Sequence, residues 1–202
     1  MTQPAQAVIL ASSSRYRVEL LSRLRVPFTA VSPDIDESPQ LNEPPEALAL
    51  RLACAKAAAI AASYPDALII GSDQVADLDG QPLGKPGGHK EAIRQLRTMS
   101  GRRAQFHTAV CLQNAATGHY QLENVLTLVT LRSLTNLEIE CYLKLDQPYD
   151  CAGSAKVESL GIALAEAIES SDPTALIGLP LIALTRMLRN EGINPLSASA
   201  AI

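Results

Sequence analysis

The 202-residue chain lacks several features that would settle its class at once. It has no CxxC pair: Cys54, Cys111, Cys141 and Cys151 are scattered. That argues against a zinc site or disulfide framework and predicts reduced, mostly buried thiols. Its three histidines, His89, His107 and His119, have no metal-ligand spacing, so structural or surface roles are expected of them. There is no basic excess: 17 Lys and Arg stand against 21 Asp and Glu, a net charge of −4. A nucleic-acid backbone is therefore disfavoured as the main partner, although a local basic cluster can still hold a small anion. No apolar stretch approaches a membrane span. The N-terminal "MTQPAQAVILASSSR" has no basic lead, unlike a signal peptide. The expectation is a cytoplasmic protein without a membrane or nucleic-acid partner.

What is present is an ordinary globular composition, 47% hydrophobic and 19% charged, on a chain long enough to bury a core. One domain over residues 1–202 is expected, or two lobes sharing a sheet. "AVILA" (7–11) reads as a buried strand and "SSSRYRVELLSRL" as a loop entering a helix with Leu20, Leu21 and Leu24 inward. "FTAVSP" is a second strand and the acidic "DIDESPQLNEPPE" a loop before an Ala-rich helix over about 45–63. "ALII" from Ala67 is a core strand that ends at Ser72-Asp73-Gln74, with a hairpin turn at Asp79-Gly80. "GGHKEAIRQLRTMSG" is a helix with Ile93 and Leu96 inward, stopped by Gly101. "QFHTAVCLQN" and "HYQLENVLTLVTLRSL" form a hairpin around "AATG". "TNLE" (135–138) is a capping box that opens another helix. After a loop, "IALAEAI" (162–168) reads as a strand, "DPTALIG" as a capped turn and "PLIALTRMLRNEG" as the last helix. Interleaved helices and strands with one long hairpin give an α/β class with a mixed sheet.

Polar residues gather where these elements end. "LASSSRYR" sets three serines and two arginines at a helix N-terminus, where free N–H groups and Arg15 or Arg17 would suit an anion. It is not a Walker loop, for GxxxxGK is absent. Lys56 is isolated in "ACAKAAA" and would sit either on a solvated face or in a site. Lys85 is framed by Gly84 and Pro86. Asp36 and Glu37 lie in a loop, where solvation is the ordinary fate of an acid. Asp73, directly behind "LII", needs a pairing partner, a metal or a catalytic use. Arg17, Lys56 and Lys85 could neutralise a polyphosphate, while Glu37 and Asp73 could hold a divalent metal and deprotonate a water.

At this point the chain resembles the Maf family of nucleotide pyrophosphatases over nearly its whole length. The matching pieces are "ASSSRYR", Asp36-Glu37, "LACAKA" (52–57), "GSDQV" (71–75), "GKP" (84–86) and Ser100-Gly101, in the family's order. The resemblance implies an elongated mixed β-sheet flanked by helices, two lobes with a cleft, and assembly as a homodimer. It implies hydrolysis of a nucleoside triphosphate between its α and β phosphates with a divalent metal cation, Mg or Mn. By position, Asp73 would be the general base. Ser12, Arg17, Lys56 and Lys85 would bind phosphates, and Glu37 would share the metal with Asp73. The chain departs from the family loop in having Arg15 where proline is usual and Val18 in place of a second arginine.

Three positions, here Tyr16, Gln74 and Glu158, separate the family's subgroups. Members acting on dTTP and UTP carry arginine, threonine and glutamine there. This chain looks like the subgroup acting on 7-methyl-GTP, as do its "IGLPLIAL" and "NPL" segments. N7-methylated guanine is cationic, so a tyrosine face would attract it by about 0.5–2 kcal/mol. A carboxylate at Glu158 would accept from N1–H and the exocyclic amine, roughly 1.5–3 kcal/mol. A pyrophosphatase for dTTP, UTP or another noncanonical nucleotide and a non-enzymatic nucleotide sensor linked to cell division remain the alternatives.

Overall fold

The computed structural model describes residues 6–197. Residues 1–5 and 198–202, which belong to the expected 1–202 domain, lie outside the described ones, as does the start of the N-terminal segment read for a signal peptide. The element order is β1 (Val8–Ala11), α1 (Arg15–Ser22), β2 (Thr29–Val31), α2 (Pro45–Ala61), β3 (Leu68–Leu78), β4 (Gln81–Leu83), α3 (His89–Met99), β5 (Arg103–Asn114), β6 (Tyr120–Leu131), α4 (Asn136–Asp146), β7 (Ala165–Ser170) and α5 (Leu181–Asn190). Seven strands form one mixed sheet, ordered β2-β1-β3-β5-β6-β7, with β4 paired to β3. β1 pairs in parallel with β2 and β3; all other pairs are antiparallel. The architecture is α/β, as the alternation of elements predicts.

Three long strands give the sheet its elongation. At about 3.4 Å per residue, a strand the length of β5 spans roughly 40 Å. Side-chain alternation divides the core accordingly. Leu10, Leu68 and Ile70 pack under α1 and α5 with Leu20, Leu21, Leu184 and Leu188. Farther along, Ala76, Phe106 and Val129 pack under α3 and α4 with Leu96, Met99, Ile139 and Leu143. The opposite face, with Ile9, Ile69 and Cys111, is covered by the alanines of α2. The sheet thus runs through two lobes, with helices α1 and α5 over one end and α3 and α4 over the other.

β3 is where the lobes part. Its pairing with β1 ends at Ala11↔Gly71, and its pairing with β4 begins only at Ala76↔Leu83. From Ser72 to Val75 the strand therefore has β5 on one side and no partner strand on the other. This corrects the expectation that the core strand ends at Asp73: β3 continues to Leu78, and Asp73 lies in its middle. A carboxylate is tolerated there because the missing neighbour opens a cleft.

The local signals work as expected. Asp79 and Gly80 both have positive φ, 55° and 78°, as a two-residue type I′ hairpin requires. Thr135 and Glu138 form the capping box that starts α4. Two expectations need correction. Leu160–Leu164 coils into a 3-10 turn, so the last strand starts at Ala165 and not at Ile162. All four cysteines are free, but only Cys111 is buried; Cys54 and Cys151 are half-buried and Cys141 is exposed.

Candidate active site

Gly71 lets the main elements of the site approach. A Cβ on it would stand 2.0 Å from the Ala53 carbonyl oxygen and 2.9 Å from the Ala57 nitrogen, so α2 lies directly on β3 at this point. Two residues along β3 and within one turn of α2, Lys56 meets Asp73. The Lys56 Nζ is 2.6 Å from Asp73 Oδ1 and 2.7 Å from Glu37 Oε1. Lys56 therefore does not extend to a solvated face; its side chain is 6% exposed, and Asp73's is 10%. A buried ammonium with so few apolar alternatives needs such partners, because an unpaired charge there would be strongly destabilising. Glu37 arrives from the loop after β2 and stays half open to solvent. Burial would raise its carboxyl, but the hydrogen bond and charge of Lys56, with Lys85 and Arg17 behind it, hold it below the ordinary glutamate value.

Arg17 projects from the first turn of α1 and donates from Nε to the Gly178 carbonyl at 2.7 Å. Ser72 Oγ stands 3.0 Å from the same carbonyl and 2.8 Å from that of Ala109, which share its single O–H. Burial draws the Arg17 pKa down while Asp73 and Glu37 pull it up, so the three share one electrostatic field. Ser12 Oγ accepts from the Ser14 amide at 3.1 Å and shapes the loop entering α1. Gln74 Nε2 stands 3.0 Å from Thr108 Oγ1 and from the carbonyls of Ala175 and Leu176, three acceptors that share its two N–H groups. That amide clamps the 3-10 turn Ala175–Ile177 against the sheet.

Tyr16 carries a cation already. Arg15 Nη2 donates to its hydroxyl at 2.7 Å, and the guanidinium carbon sits 4.8 Å from the ring centroid. Glu158 is exposed on the opposite loop. Partial burial raises its carboxyl above the ordinary value, helped by Asp146 and Asp150 and opposed by Lys156. Lys85 is exposed just past β4.

All of these side chains border one cleft of about 660 Å³. Ser12, Tyr16, Arg17, Glu37, Lys56, Asp73, Gln74, Lys85 and Glu158 all line it. None of the nine is left elsewhere on the molecule. The sequence did not reveal the part played by Gly178, whose backbone (φ 121°) ties Arg17 and Ser72 together. The only hint was its place in "IGLP", between an apolar turn and a proline. Asp150 and Cys151 also border the cleft, without a motif to announce them.

The Maf-like protein family matches residues 7–191. The chain belongs to the Maf family. Three proteins named 7-methyl-GTP pyrophosphatase are similar to it over almost their whole length. That of Bordetella pertussis is 58% identical over 194 residues, 96% of each chain. That of Cupriavidus pinatubonensis is 60% identical over 189 residues, 94% of this chain and 95% of its own. That of Thiobacillus denitrificans is 56% identical over 197 residues, 98% of each. Among solved structures, the Staphylococcus aureus Ham1 protein aligns with 63% of this chain and 73% of its own at 15% identity and a TM-score of 0.48.

In this Maf chain the carboxylate pair suits a hard divalent cation. Asp73 and Glu37 each place one oxygen on Lys56, which brings both carboxyl groups to the same ammonium. Mg²⁺ and Mn²⁺ take oxygen donors, and Mg²⁺ in particular is held by one or two carboxylates, with water and substrate phosphate in its other positions. Among the described residues no group of three His, Cys, Asp or Glu side chains is arranged to hold a metal. Substrate oxygens would have to complete such a site.

Proposed function

We propose that this Maf protein hydrolyses 7-methyl-GTP between its α and β phosphates, giving 7-methyl-GMP and pyrophosphate. The observation that carries the reaction type is the junction of Asp73, Lys56 and Glu37 on one ammonium, inside the cleft that Arg17 and Lys85 also line. The relatives' names and the Tyr16–Glu158 pair support the choice of base.

In this reading Asp73 takes a proton from the water whose oxygen attacks the α phosphorus. The bond from that phosphorus to the bridging oxygen breaks, and pyrophosphate leaves with the charge. Lys56 keeps Asp73 in one orientation, pinned from the α2 side. Lys85 and Arg17 compensate charge on the phosphates, the main demand of phosphoryl-type chemistry. Ser12 and the N-terminus of α1 add hydrogen bonds at the phosphate end. A divalent cation, Mg or Mn, would be held by Asp73 and Glu37 and would supply Lewis acidity at the phosphate oxygens.

The base lies against Tyr16, with Glu158 on its hydrogen-bonding edge; Gln74 acts by fixing the turn behind them. Cytoplasmic location and a homodimer belong to the same reading. Four free cysteines support the first. Tyr120, Leu122 and Leu126, exposed along one face of β6, support the second.

Product analysis tests the chemistry. Wild-type protein releases pyrophosphate and the monophosphate, with no orthophosphate, and Asp73→Asn lowers kcat by about 10²–10⁴-fold. Release of orthophosphate, or an Asp73→Asn variant with full turnover, would contradict the assignment.

A further inference from the structure

We propose that Lys156 is a second base-reading residue, donating to the 6-oxo group of the purine, so that the site recognises a 6-oxopurine edge. The inference rests on the nucleotide reading above and deepens it.

The backbone at Lys156 is unusually well held for a loop. Its amide donates to the Tyr142 hydroxyl at 3.0 Å. Its carbonyl accepts from Ser159 at 3.1 Å and Gly161 at 3.0 Å. Gly161 is required for that turn, since a Cβ there would stand 2.5 Å from the same carbonyl oxygen. The side chain is 17% exposed and reaches to 5.9 Å from the Tyr16 ring centroid. Behind it stands Asp146, 7% exposed, at 3.8 Å, beyond hydrogen-bond range. Asp146 Oδ1 is taken by Ser159 Oγ at 2.6 Å, and Oδ2 is buried without a partner. Among the described residues no hydrogen bond from the Lys156 ammonium is present, so its three N–H donors are uncommitted while the charge rests in a long cation–π contact over the Tyr16 ring.

Lys156 lines not the main cleft but a smaller pocket of about 320 Å³ beside it, which shares Tyr16, Glu158 and Ile177 with the cleft. Across the Tyr16–Glu158 wall the two pockets adjoin, with the acceptor pair of Glu158 on the wall itself and the donor Lys156, two residues earlier, on the small-pocket side of it. Guanine's edge presents the complement: the O6 acceptor, then the N1–H and N2–H donors. Adenine would set its 6-amino donor against the ammonium and leave both unpaired, a strong ground for rejection. Asp146 offsets the Lys156 charge, so a base made cationic by methylation is not repelled.

The test compares 7-methyl-GTP with its 6-thio counterpart, which keeps both N–H donors and weakens only the acceptor. Lys156→Met lowers kcat/KM for 7-methyl-GTP about tenfold to a hundredfold, changes it for the 6-thio analogue no more than about threefold, and is partly rescued in Lys156→Arg. The ratio of two substrates on one preparation is unaffected by any unfolded fraction. Equal losses on both substrates, or no loss, overturn the inference while leaving the enzyme reading intact. A wild-type protein inactive on 7-methyl-GTP overturns both.

Discussion

Lys56 is a single cation buried in a helix of alanines, and it makes two ion pairs at once. Its isolation in "ACAKAAA" was visible in the sequence, but two fates were open, and only the depth of α2 against β3 decides between them. Asp73 was legible as an acid in need of a partner for the same reason. Its place in mid-strand was not legible, because an apolar run that stops looks the same whether the strand ends or a neighbouring strand is missing. Glu158 carries the residue-scale prediction. Its carboxyl titrates above the ordinary glutamate value, so on acidification it loses its acceptor capacity before an ordinary surface glutamate does. Turnover of 7-methyl-GTP falls over that range, and Glu158→Gln both lowers turnover at neutral pH and removes that acid limb. A Glu158→Gln enzyme with the wild-type substrate profile would refute its part in reading the base.

At the scale of elements, the site depends on how closely α2 sits on β3. Gly71→Ala forces a methyl group into the Ala53 carbonyl. Overpacking of this kind costs about 1–3 kcal/mol, and here it also pushes Lys56 away from Asp73. Denaturant melts should show the loss, and kcat should fall more than KM rises; a variant as stable and active as wild type would mean the helix does not set the site. The loop carrying Glu37 is tied to α2 by a two-pronged pair, Arg51 Nε to Glu43 Oε1 at 2.6 Å and Nη2 to Oε2 at 2.8 Å. Arg51, with the Gln40 amide that also donates to it, draws the Glu43 carboxyl from its ordinary 4.5 to about 2. A lowered pKa means that the tie is fully present above pH 4.5 and is lost between 4.5 and about 2. Amide protection across residues 34–44, taken relative to the intrinsic exchange rate at each pH, should therefore fall over that window, and Arg51→Ala should show low protection already at neutral pH. Helix caps, the Asp79-Gly80 hairpin and the long β5–β6 pair were readable from local chemistry. The 3-10 turn Leu160–Leu164 was not: its apolar residues mimic a strand, yet Ile162 is 53% exposed and its backbone folds round Gly161.

At the scale of the molecule, one edge of β3 has no partner strand between the two helix-covered ends of the sheet, and that gap is where distant segments meet. Nine residues from six stretches of sequence line the one cleft. Order along the chain could suggest such a meeting through family likeness, while composition and periodicity could not, since neither contains the missing neighbour of Ser72–Val75. In the proposed reading the cleft's charges hold the triphosphate and the Tyr16–Glu158 wall selects the base. Steady-state pyrophosphate release with 7-methyl-GTP, GTP, dTTP and UTP side by side tests this most directly. The account predicts kcat/KM highest for 7-methyl-GTP, by about tenfold or more over each of the others. Preference for dTTP or UTP, or pyrophosphate release from none of the four, would contradict it.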